Sequence, residues 1–64
     1  MILPEKIDRP GKYRIWVTEA RIGVELIAFM FDGKLFYRIM NDGFPVSCIA
    51  ADYSVMEFEP EEIA

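Results

Sequence analysis

The chain contains no histidine and a single cysteine, Cys48. One cysteine cannot close an internal disulfide, and without histidine nothing completes a zinc set. Cys48 stands among Val46, Ile49 and Ala50 with no basic neighbour to depress its pKa, so it reads as a small buried side chain. No apolar run reaches the roughly 18 residues of a membrane span, because Glu25, Asp32 and Arg38 interrupt the apolar centre. The opening residues carry Glu5, Lys6, Asp8 and Arg9 and no long apolar stretch, which argues against a signal peptide and makes the cytoplasm the expected compartment. Walker sequences, G-x-G-x-x-G, a serine nucleophile elbow and spaced metal ligands are all missing. No catalytic residue, metal or cofactor is therefore expected, and the chain is not read as an enzyme.

What is present is a small, apolar, acidic chain. Its 64 residues are 53% hydrophobic, enough to fold but near the lower size limit of a domain that folds alone. The net charge of −4 is unevenly spread. Residues 1–38 hold all seven basic groups and five acidic ones, for +2; residues 39–64 hold six acidic groups and no basic one, for −6. That balance disfavours general adhesion to nucleic acid and leaves an acidic segment that could meet a basic partner.

The patterning is that of strands. Residues 1–10, with Pro4 and Pro10, read as an irregular lead-in, and Pro10-Gly11 fits the centre of a type II turn. From Lys12 to Glu19 the sequence alternates, with Tyr13, Ile15 and Val17 on one face and Lys12, Arg14 and Trp16 on the other. Ala20 to Phe31 is ambiguous. Thr18 could cap a helix, but Gly23, the β-branched Ile22, Val24 and Ile27, and the Phe-Met-Phe ending favour a strand with a bend or bulge near Gly23.

Asp32-Gly33 is a strong two-residue hairpin signal. It sets Phe31 against Lys34, Phe29 against Phe36 and Ile27 against Arg38 on one side. On the other it sets Met30 against Leu35, Ala28 against Tyr37 and Leu26 against Ile39. Asn41-Asp42-Gly43 reads as the next turn, Pro45 to Ala51 as another strand or a short helix, and Asp52 to Ser54 as a connector. Val55 to Glu59 reads as a last strand before a frayed acidic end at 60–64.

These strands, separated by turn signals, predict a single all-β domain: a small five-stranded SH3-like barrel or a strongly curled antiparallel sheet. Ala51 to Ser54 resembles three residues of the Ala-Leu-Tyr-Asp-Tyr signature of SH3 peptide-binding domains. The paired tryptophans and the Pro-x-x-Tyr pattern are lacking, and polyproline binding is not carried over.

Three surfaces are candidates for function. The hairpin carries apolar load on both faces, more than so short a chain can cover. An exposed aromatic face at Ile27, Phe29, Phe31 and Phe36 is therefore the expected docking surface for a protein partner, either a second copy or a larger host complex. Lys12, Arg14, Trp16 and Arg38 combine cations with an aromatic ring, as a platform for single-stranded nucleic acid would. Asp52, Glu57, Glu59, Glu61 and Glu62 could present carboxylates to a basic cleft as a decoy, or simply keep the domain soluble. The size also suits a small accessory protein of a phage or plasmid.

Overall fold

The computed structural model describes residues 4–41, 43 and 52–61. Four strands, β1 (Gly11–Val17), β2 (Ile22–Phe31), β3 (Lys34–Ile39) and β4 (Tyr53–Pro60), form one antiparallel sheet in the order β3-β2-β1-β4. The all-β reading holds, and residues 22–31 are extended rather than helical. The closed barrel does not appear. Among the described residues β3 and β4 lie at opposite edges and the sheet stays open. The strand expected at 45–51, with Val46 and Cys48, lies outside the described residues.

The β2–β3 hairpin has the register that the Asp-Gly turn dictates, from Phe31↔Lys34 to Leu26↔Ile39. Asp32 and Gly33 take φ of 52° and 72°. Positive φ at both central residues is what a type I′ turn requires, and its twist matches that of the flanking strands.

Two local expectations are corrected. Gly23 makes no bulge: β2 pairs with β1 without interruption from Val17↔Ile22 to Gly11↔Ala28. The irregularity lies in β4, where one extra residue is accommodated opposite Arg14 and Ile15. Gly11 does not serve a type II turn either. Its φ of +150° is far from the roughly +80° such a turn needs, and Gly11 is already the first residue of β1.

Strand alternation sorts the side chains onto two faces. Ile15, Val17, Val24 and Leu26 are fully buried on the inner face, joined by Tyr13, Ala28, Tyr37 and Tyr53. Tyr53 and Ser54, expected in a connector, begin β4 instead, because Tyr53 pairs with Val17 and completes this layer. The lead-in is irregular but not loose. Ile7 is buried in the same cluster, the Lys6 backbone N–H donates to the Tyr53 hydroxyl at 2.8 Å, and the Tyr13 hydroxyl donates to the Arg9 carbonyl at 2.7 Å. Lys6 and Arg9 lie over the rings of Tyr53 and Phe58, at 5.0 and 4.6 Å. The acidic end is tied at its start, where the Glu61 N–H donates to the Pro10 carbonyl.

Open edges invite pairing with other chains, and both edges carry the usual deterrents. On β3 these are Lys34 and Arg38; on β4 they are Glu57, Glu59, Pro60 and the irregularity.

The three core tyrosines give the fold an alkaline limit. Burial is the largest influence on Tyr13, Tyr37 and Tyr53 and raises the pKa of each above 10.0. The unfolded chain therefore ionises first as pH rises. Their contribution is intact below the ordinary tyrosine range and is lost as pH climbs through the raised folded values. Each tyrosine held neutral adds a slope of about 1.4 kcal/mol per pH unit in that window. Urea midpoints should be flat below that range and fall steeply above it, and Tyr37→Phe should shallow the fall.

Candidate docking face

The opposite face of the sheet is open to solvent. In register, Arg38, Ile27, Lys12 and Glu59 form one row across the four strands. Glu25, Arg14 and Glu57 form the next row, and Gly23, Trp16 and Ser54 the one beyond. Toward the hairpin turn lie Phe29 and Phe36, then Phe31 and Lys34. The structure thus brings together on one face all four aromatic-patch residues and all four residues of the cationic set.

The aromatic patch is a real cluster. The Phe36 ring lies 6.4 Å from Phe29 in a stacked arrangement and 6.1 Å from Phe31 edge-on. Both spacings lie within the range of favourable ring pairs. Phe31 is 66% exposed and Phe29 37%, with Ile27 also exposed and Phe36 half-buried. The cause of the exposure is strand length. β1 begins opposite Ala28, so among the described residues Phe29, Met30 and Phe31 pair only with β3 and the hairpin tip overhangs as a two-stranded arm. The overhang also explains why Met30, expected on the covered face, is 54% exposed.

Where β1 stops, the outer face has a shallow groove. Lys12, Ile27 and Phe29 form one wall and Glu59, Pro60 and Glu61 the other. Sequence alone did not mark this feature, because it depends on β4 being the neighbour of β1.

The cationic set is less free than the sequence suggested. Arg14 Nη2 donates to Glu25 Oε1 at 2.7 Å, and its other terminal nitrogen lies 3.8 Å from Glu57. The hydrogen bond from Arg14 holds the Glu25 carboxyl below its usual range. The Glu25 backbone N–H in turn donates to Asn41 Oδ1 at 2.8 Å, which fixes the end of β3 against β2. Lys12, Lys34 and Arg38 are the outer-face cations without an ion pair among the described residues. Trp16 is 40% exposed and faces Gly23 across the β1–β2 pair. Arg38 and Phe36 do not adjoin β1, since β2 lies between.

The acidic set is divided as well. Glu57 shares Arg14 with Glu25, Asp52 lies 3.9 Å from Lys6, and Glu59 stands in register with Lys12. Glu62 lies outside the described residues. No helix among the described residues is long and apolar enough to cross a membrane. Comparison with protein-family models, curated proteins and solved structures returned no match.

Proposed function

We propose that the chain is a docking module that acts by binding another protein surface, without catalysis, and that the outer face of its sheet is the surface it uses. The observation that supports this reading is the open aromatic cluster of Phe29, Phe31 and Phe36 beside Ile27. A sheet stabilised by one covered face does not need three phenylalanines on the other. Left in water they cost solubility, and grouped aromatic rings are what supply most of the energy of protein interfaces.

Protein docking fits the charges of this face better than nucleic acid does. A phosphate-tracking surface needs cations with no internal anion. The central Arg14 is already shared by two carboxylates, and the β4 edge beyond it carries Glu57 and Glu59. A decoy role would need a continuous acidic surface, and three of the carboxylates instead lie beside Arg14, Lys6 and Lys12.

The test is Phe29→Asp. On a docking face the variant should lose about 1 kcal/mol of ring pairing with Phe36 and keep its circular dichroism and a cooperative melt. An unfolded variant would show that this face is core in solution, and the reading would fall.

A further inference from the structure

Resting on that reading, we propose that the docking face binds a second copy of this chain. The two sheets lie face to face about a two-fold axis that runs parallel to the strands, between β1 and β2. The argument comes from how bumps, hollows and charges are placed on the face.

Such an axis exchanges left and right across the sheet and leaves position along the strands unchanged. It sets β3 over the partner copy's β4 and β2 over the partner copy's β1. The bump of the face, Phe29 and Phe36, lies on the β2–β3 side at one level along the strands. The hollow, between Phe29 and the Pro60–Glu61 wall, lies on the β1–β4 side at the same level. The rotation therefore lays the bump of each copy over the hollow of the other.

The remaining rows agree. Arg38 comes over Glu59, Lys12 lays its aliphatic stem over Ile27, Glu25 comes over Arg14, and Trp16 over the bare backbone of Gly23. An isologous contact needs a self-complementary patch, and this face supplies one in shape and in sign.

The other two-fold arrangement, with the axis across the strands, lays each strand on its own copy. Lys34 and Arg38 would then crowd their equivalents along β3, and Glu57 and Glu59 theirs along β4. Like charges brought together in this way reject an arrangement. Edge-to-edge pairing of two β3 or two β4 strands meets the same repulsion. The face measures about 19 Å across four strands and about 23 Å along them. The two faces together cover only about 900 Å², below the range of stable interfaces, so the dimer is a weak one that should dissociate on dilution.

The experiment compares wild type, Arg38→Glu, Glu59→Arg and an equimolar mixture of the two variants by sedimentation velocity over a hundredfold dilution. Wild type should shift from dimer to monomer across the series. Each single variant places like charges at both symmetric contacts and should weaken the dimer at least tenfold. The mixture restores opposite charges at both contacts, so it should recover wild-type association as a heterodimer.

A wild type that stays monomeric at the highest concentration overturns the second copy as occupant. The docking face itself survives that outcome if Phe29→Asp is folded, and fails with it if that variant is unfolded. A wild-type dimer whose variants neither weaken nor rescue one another overturns the proposed axis.

Discussion

Leu26→Ala is expected to unfold most of the molecules, although the substitution removes only three carbon atoms. Leu26 is fully buried in β2, one of the two central strands, between Tyr13 on β1 and Ile39 on β3. Truncating a buried leucine costs the lost transfer energy plus the cavity left behind, about 3 kcal/mol and up to about 5 where neighbours cannot close in. The neighbours here are held. Tyr13 is tied through its hydroxyl to Arg9 and packs on Phe58 with ring centroids 4.6 Å apart, so the space will not collapse cheaply. A single core in so short a chain supplies roughly 3–5 kcal/mol of net stability, and the loss is of the same size. In a urea titration followed by tryptophan fluorescence, Leu26→Ala should show little or no folded baseline. Phe29→Ala, three residues along the same strand but on the open face, should keep a folded baseline and unfold cooperatively, its midpoint lowered only by the loss of about 1 kcal/mol of ring pairing. Equal destabilisation by the two would mean that the two faces do not differ as described.

The contrast between those two positions was largely legible in the sequence, because it rests on local signals. Asp32-Gly33 fixes the turn, the turn fixes the register, and a period of two then assigns every side chain of the hairpin to a face. The alternation of Tyr13, Ile15 and Val17 worked in the same way. What the sequence did not show was which strand lies beside which. The partnership of β1 with β4 joins residues from Val17↔Tyr53 to Gly11↔Pro60, well apart in the sequence, and no local signal encodes it. What depends on it is not legible locally: Tyr53 as a core residue, the irregularity in β4 instead of at Gly23, the approach of Glu57 to Arg14, and the groove.

The lead-in was missed for a related reason. Ile7 is one apolar residue among charges, and only the Tyr13 and Tyr53 hydroxyls reaching for its neighbours' backbone show that it caps the core. The aromatic patch was legible as an excess of apolar load. Its exposure required knowing that β1 stops short of the hairpin tip.

Gly11 is where that partnership can be tested most sharply, since an added methyl group there would meet β4 directly. A Cβ built on Gly11 would lie 2.5 Å from the Glu59 carbonyl oxygen, 2.7 Å from the Phe58 ring and 3.2 Å from Pro60 Cα. The first and last of these are backbone atoms that cannot turn aside. The φ of +150° adds a second penalty, because side chains of L-residues rarely adopt it. Backbone strain and overpacking each cost of order 1–3 kcal/mol, so Gly11→Ala should lose about 3 kcal/mol, with the damage concentrated where β1 meets the end of β4. Amide exchange should therefore quicken first at Lys12, Glu59 and Glu61, before the β2–β3 hairpin is affected. The same end of β4 is one wall of the groove. At concentrations where the variant remains folded, it should also dimerise more weakly than wild type. If Gly11→Ala is as stable as wild type, β4 does not pass against Gly11, and both the β1–β4 pairing and the groove built on it fall together.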